Sequence, residues 1–264
     1  MLPGAGERNC EMAAKIIAIA NQKGGVGKTT TAINLSACIA YYGKRVLLAD
    51  LDPQGNATTG LGINKKQLEK SSYDVIINDE PVNDIIIGTS QENLFILPSD
   101  ISLAGAEVEL VSLMSRESKL KLALDEVRDD YDYIFIDCPP ALGLLTLNAL
   151  TAADTVLVPI QCEFYALEGL SQLLDTVKKV QRYLNRKLTV EGVVMTMFDV
   201  RTNLSAEVVD EVRKYFGDKV YKTVIPRNIR LGEAPSYGEP IIRYDFKSKG
   251  SEAYLGLAKE VLDR

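Results

Sequence analysis

An apolar run at residues 16–20 breaks within three residues into Lys23-Gly24-Gly25-Val26-Gly27-Lys28-Thr29-Thr30, and a helical pattern follows at once over residues 30–42. A strand that turns through glycines into a helix leaves few folds open. The glycines let backbone N–H groups bend toward one point, and the helix aims the positive end of its dipole at that same point. Such a unit starts a right-handed crossover between parallel strands, and the rest of the chain continues the alternation.

Residues 46–49, 94–97, 133–136, 155–160, 190–195 and 223–225 read as further strands, most of them continuous apolar runs of the kind covered on both faces. Helical patterns over residues 103–127, 167–184 and 205–216 separate them. This alternation predicts an α/β fold: a doubly wound, mostly parallel sheet with helices on both faces, binding its ligand beyond the carboxyl ends of the strands. A length of 264 residues with 46% apolar content suits one large domain over residues 13–264. Residues 1–12, with Pro3, Gly4 and Gly6 and no apolar period, read as a disordered extension or a cloning remnant. No stretch approaches the length of a membrane span and no secretory leader is visible, so the expected location is cytoplasmic.

The chain contains no histidine. That removes Ser-His-Asp and Cys-His nucleophiles, and leaves proton handling to a carboxylate, Lys, Tyr or Cys. Cys10, Cys38, Cys138 and Cys162 are scattered without a CxxC pair, which fits buried, reduced thiols better than a disulfide framework or a zinc site.

The glycine loop is of the phosphate-binding type, although the first glycine of the usual Gly-x(4)-Gly-Lys-Thr spacing is absent. Lys28 is placed to reach the β and γ phosphates of a nucleotide, and the Thr29 hydroxyl to ligate Mg²⁺. The second strand ends in Asp50-Leu51-Asp52-Pro53-Gln54-Gly55-Asn56, where one carboxylate can position or deprotonate a water in a loop that responds to a γ-phosphate. The run Tyr133-Ile134-Phe135-Ile136-Asp137, followed by Cys138-Pro139-Pro140, has the Walker B form that holds the magnesium.

Together these motifs resemble the ParA/MinD family of deviant Walker A ATPases, with the P-loop NTPase fold, over nearly all of residues 13–264. The chromosomal ParA (Soj) partition proteins are the most similar subgroup. Residues 161–169 (QCEFYALEG), 201–204 (RTNL) and 225–236 (IPRNIRLGEAPS) carry the resemblance to it. The resemblance implies slow hydrolysis of ATP with Mg²⁺, stimulated by a ParB-type (Spo0J-like) centromere-binding partner. It makes Lys23 the lysine that crosses an ATP-sandwiched homodimer, Lys28 the P-loop lysine and Asp52 the residue acting on water. Gly24, Gly25, Val26, Gly27, Thr29 and Thr30 complete the phosphate loop, Asp137 joins Thr29 at the metal, and Thr196, Pro226 and Asn228 surround the adenine. Arg201 and Arg230 match positions that bind DNA without sequence preference, which implies a nucleoid-associated protein driving chromosome or plasmid segregation.

The net charge of −6 hides a split that bears on this reading. Residues 178–249 hold fifteen Lys and Arg against nine Asp and Glu, and the remainder of the chain carries −12. Lys178, Lys179, Arg182, Arg186 and Lys187 are expected to extend a phosphate-binding patch around Arg201 and Arg230. The main alternative is a MinD-like positioning ATPase attached to a membrane. That class uses a basic amphipathic C-terminal helix, whereas residues 251–264 balance Lys259 and Arg264 with Glu252, Glu260 and Asp263, so a helix packed on the core is expected instead of an anchor. Metal-cluster relatives would need placed thiolates, and a carboxylate-activating ligase has no readable substrate pocket here.

Overall fold

The computed structural model describes residues 13–163 and 170–264. Residues 1–12, with Cys10, and residues 164–169 of the family-like stretch lie outside the described residues. Eight strands form one sheet: β1 (Lys15–Ile19), β2 (Val46–Asp50), β3 (Ile87–Gly88), β4 (Leu94–Leu97), β5 (Tyr133–Asp137), β6 (Thr155–Gln161), β7 (Thr189–Phe198) and β8 (Val220–Pro226). Their order is β3-β4-β2-β5-β1-β6-β7-β8, parallel throughout except for the two-residue edge pairing of β3 with β4. From β1 the chain crosses to β2 and the β3/β4 edge, returns to insert β5 between β2 and β1, and then winds outward on the other side from β6 to β8. The switch therefore lies at β1, beside β5 and β6.

The helices are α1 (Lys28–Tyr41), α2 (Asn56–Gly60), α3 (Ser72–Ile77), α4 (Leu103–Glu109), α5 (Lys119–Val127) and α6 (Leu144–Ala152). Then come α7 (Leu170–Tyr183), α8 (Asn203–Phe216), α9 (Ile229–Glu233), α10 (Ile241–Tyr244) and α11 (Lys249–Leu262). Side chains alternate across the pleat, so each apolar strand feeds two cores. Ile16, Ala18, Leu47, Ala49, Ile134, Ile136, Val156 and Val158 pack with α3 to α8, while Ile17, Ile19, Val46, Leu48, Phe135 and Leu157 pack with α1, α2 and α9 to α11. This is why the strands read as unbroken apolar runs.

One predicted helix is two. Residues 103–127 keep a helical apolar spacing, but α4 ends at Glu109, passes through a 3₁₀ turn and reaches Ser115 at φ 52° before α5 begins. Asn148 of α6 supports the break: its Nδ2 donates to the Arg116 carbonyl at 2.8 Å and its Oδ1 accepts from the Leu120 N–H at 3.2 Å. The C-terminal helix packs as expected, with Tyr254, Leu257, Ala258 and Val261 buried in the core shared with α1. Among the described residues no helix is long and apolar enough to cross a membrane. Cys38, Cys138 and Cys162 are free and buried.

Candidate functional site

Strands β1, β2 and β5 end side by side, with Ile19 and Asp50 each in register with Asp137. The loop leaving β1 is fastened to the neighbouring strands. Asn21 Nδ2 donates to the Pro159 carbonyl of β6 at 2.7 Å while its Oδ1 accepts from the Lys23 N–H at 3.0 Å, and the Thr196 hydroxyl of β7 donates to the Val26 carbonyl at 2.8 Å. Gly25 and Gly27 sit at φ 75° and 86°, where a β-carbon would be strained, and Gly27 is the residue that opens α1. Gly24 and Gly25 are exposed, Thr29 and Thr30 half-buried, and the loop rims a cradle of backbone at the positive end of a fourteen-residue helix.

Lys28 is buried within this cradle, and its Nζ donates to the Lys23 carbonyl at 3.2 Å. Burial lowers its pKa, opposed by the charges of Asp137, Cys138 and Asp52. The half-buried Lys23 differs: its ammonium makes no hydrogen bond or ion pair among the described residues.

Opposite the loop stands a closed polar network that sequence reading did not anticipate. Asp50 Oδ2 accepts from the Thr58 N–H and hydroxyl at 2.8 and 2.7 Å, and its Oδ1 accepts from the Asp52 N–H at 3.1 Å. The Ser99 N–H donates to Thr58 Oγ1 and the Ser99 hydroxyl to the Asp52 carbonyl, both at 2.9 Å. All four residues are buried, and Asp52 Oδ1 accepts from the Gln54 N–H at 2.9 Å. Gly55, at φ 57°, passes so close to the Ser99 carbonyl that a β-carbon would lie 2.6 Å from that oxygen. The bonds of the network oppose a pKa rise that burial imposes on Asp50.

Asp137 is the exception in this dry region. Both carboxylate oxygens are buried without a hydrogen-bond partner. Burial raises its pKa well above the usual carboxylate range and the neighbouring Asp50 adds to the rise, whereas the nearby Thr29 hydroxyl and Lys28 act against it. An unpaired buried carboxylate is costly, and one that faces a hydroxyl, an ammonium and a phosphate-type cradle fits a hydrated magnesium ion.

A cleft of about 240 Å³ adjoins the loop on the other side, lined by Gly27, Thr30, Thr196, Met197, Pro226, Asn228 and Tyr254 among others. The structure thus brings Thr196, Pro226 and Asn228 together although they come from β7, β8 and the turn beyond. Asn228 Oδ1 accepts from the Arg230 N–H at 2.8 Å and caps α9. Met197 lies in the left-handed region at φ 53°, a conformation that no signal in a run of apolar strand residues announces. Tyr254 reaches the cleft from α11, held by a 3.2 Å hydrogen bond with Thr31.

Arg201 and Arg230 follow the ends of the adjacent strands β7 and β8. Each is exposed and engaged by carboxylates: Arg201 bidentately by Asp199 at 2.9 and 2.6 Å, Arg230 by Glu233 at 2.8 Å and by Asp245 at 3.5 Å. The expected extension of this patch is not observed as one surface. Arg186 and Lys187 precede Thr189, the first residue of the ten-residue β7, so the strand sets them roughly 30 Å from its carboxyl end. Lys178, Lys179 and Arg182 lie along α7 in between. A local charge count cannot distinguish the two ends of a strand.

Residues 14–190 match the model of a family described as an AAA domain. The sporulation initiation inhibitor protein Soj of Bacillus subtilis is 66% identical over 94% of this chain and 98% of its own length. The chromosome-partitioning ATPase Soj of Treponema pallidum is 52% identical over 95% of this chain and 98% of its own. Among solved structures, cobyrinic acid a,c-diamide synthase from Mycobacterium smegmatis, with bound ADP and magnesium, superposes with a TM-score of 0.84 at 40% identity over 94% of both chains.

Proposed function

The chain belongs to the Soj/ParA family of chromosome-partitioning ATPases, and on that premise we propose how its own residues carry out ATP-driven DNA partition. The protein is an ATPase that uses ATP and Mg²⁺, and residues 13–264 act as its one ATPase domain. The observation that carries the reading is the unpartnered, buried Asp137 carboxylate in register with the end of β1, next to the buried Lys28.

Backbone N–H groups of Gly24 to Thr30 and the Lys28 ammonium bind the phosphates, and the cleft with Thr196, Pro226 and Asn228 takes the adenine. Asp137 and Thr29 hold the magnesium, which when bound supplies positive charge at the β and γ phosphates. Asp52, its backbone held by Ser99 and Asp50, orients the attacking water and accepts its proton. With no histidine in the chain, a carboxylate is the available base. The free ammonium of Lys23 reaches the nucleotide of a second copy, so that ATP joins two protomers. Arg201 and Arg230 contact phosphates of nonspecific DNA, and two such patches in a dimer bind far better than one. A ParB-type partner stimulates hydrolysis and so releases the DNA, which makes the protein cytoplasmic and nucleoid-associated. The burial of the apolar face of α11 in the core speaks against attachment to a membrane through that helix.

Asp52→Ala tests the scheme: with ATP the variant should elute as a dimer and remain on DNA, and a variant that binds ATP yet stays monomeric would remove the mechanism. DNA binding with ATP, ADP and no nucleotide, at several salt concentrations, tests the switch; equal affinity in the three states excludes it. Lys23→Ala should keep nucleotide binding and lose dimer-dependent hydrolysis.

A further inference from the structure

Helix α4 has two apolar sides, and the core uses only one. Leu103, Ala106 and Leu110 face inward, while Ile101, Ala104, Val108 and Val111, spaced by three or four residues, form a second stripe toward solvent, and the exposed Met114 follows just beyond the extended Leu113. Val108 is 75% exposed and Met114 90%. Large apolar side chains in one row on a surface mark an interaction site. The charge around it is one-signed. Residues 71–115 contain eight Asp and Glu and no Lys or Arg, with Asp100, Glu107 and Glu109 on or beside the stripe. The nearest cations are occupied: Arg116 pairs with Glu117, Lys119 with Asp79 and Lys70 with Glu80.

The same helix is tied to both sides of the hydrolytic centre. Ser99, which holds the Asp52 carbonyl and the Thr58 hydroxyl, enters α4 through Asp100. Glu107 accepts from the Leu144 and Leu145 N–H groups at 2.9 and 3.2 Å, which fastens α4 to the start of α6 just beyond Asp137.

We propose that the stripe of Ile101, Ala104, Val108 and Val111, with Met114 just beyond it, is the docking site for a cationic, apolar-anchored segment of a partner protein, positioned to act on the Asp52 loop and the segment after Asp137. Charge complementarity selects that occupant over a second copy, because a two-fold contact through this stripe would set the acidic Asp100 and Glu109 of one copy against the same acidic pair of the other. Identifying the partner as the stimulating ParB-type protein rests on the function proposed above.

The test is Val108→Asp combined with Met114→Asp in the full chain, with Tyr215→Asp, another exposed apolar residue at 68%, as control. The double variant should keep basal hydrolysis, ATP-dependent dimerisation and DNA binding, and need about tenfold more ParB-type protein for half-maximal stimulation, the scale of losing a buried anchor. The control should match the parent. Unchanged stimulation would overturn the proposal, and loss of the ATP-dependent dimer would give the stripe to a second copy. If the parent chain is not stimulated at all, the partner reading fails separately from the site. The site is then read by hydrogen exchange with a Leu/Lys amphipathic peptide and its Leu/Glu counterpart. Protection of residues 101–114 by the Lys peptide alone upholds the proposal; equal protection by both, or by neither, overturns it.

Discussion

The carboxyl edge of the sheet places its polar groups in two opposite ways. Around β1, β2 and β5 they are dry: Lys28, Asp50, Asp52, Thr58, Ser99 and Asp137 are all buried, and each except Asp137 makes at least one side-chain hydrogen bond inside the protein. Beyond β7 and β8 the arginines stand in water, held by carboxylates close by in sequence or across one turn. In the dry region an unmade bond costs the full desolvation of the group, so what remains unpaired is kept for a ligand. In the wet region an ion pair is screened and exchangeable, which would suit the proposed contact that forms and dissolves on a phosphate backbone. The two regions should therefore respond to mutation on very different scales.

The largest effect is expected at Asp137. Asp137→Asn removes the one buried carboxylate without a hydrogen-bond partner among the described residues, so hydrolysis should fall by about 10²-fold or more, while the nucleotide-free protein becomes no less stable to denaturant. Stability and activity moving in opposite directions is the signature. A variant that loses both together would show that Asp137 is part of the internal network after all.

Thr58 should behave in the reverse sense. Thr58→Val strips a hydroxyl that donates to Asp50 and accepts from Ser99, leaving the buried Ser99 N–H without its acceptor and Asp50 Oδ2 with the Thr58 N–H alone. A loss of about 1–3 kcal/mol in urea unfolding is expected, along with slower hydrolysis as the Asp52 loop loosens. Thr58→Ser should restore both. Full activity in Thr58→Val would mean that Ser99 alone holds Asp52.

How much of this was legible in the sequence follows the same division. Seven of the eight strands, the glycine loop and the acidic strand ends could be read, because apolar runs and glycines at a strand-to-helix turn are local signals. The partner of Asp50 is Thr58, but the third member, Ser99, lies forty-one residues beyond Thr58, and no local pattern links a serine before a helix to an aspartate after a strand. The break between α4 and α5 was hidden because apolar spacing continues across it and the supporting Asn148 comes from another helix. Helix α6 and the short helices escaped notice for lack of a long amphipathic period. The separation of Arg186 and Lys187 from Arg201 required knowing which way β7 runs.

In the wet region the effects shrink. Arg201→Ala and Arg230→Ala should each leave the denaturation midpoint unchanged, weaken DNA binding similarly for unrelated sequences, and lower the slope of log affinity against log salt by about 1. A sequence-dependent loss would turn these side chains from phosphate contacts into base readers, and an unaltered salt slope would remove them from the interface.

The smallest effect is expected from the carboxylate that holds Arg230. Glu233 Oε2 accepts from Arg230 at 2.8 Å and from the Tyr244 hydroxyl at 3.1 Å, so Glu233→Gln keeps an acceptor for the tyrosine and takes away only the competing charge. If the pair merely stores the arginine until phosphate arrives, DNA affinity should rise a few-fold at low salt and the gain should fade as salt increases, because both the ion pair and the phosphate contact are screened. A fall in affinity would mean that Glu233 orients the guanidinium toward DNA. The wet region would then contain a preorganised contact of the kind that otherwise appears only on the dry side.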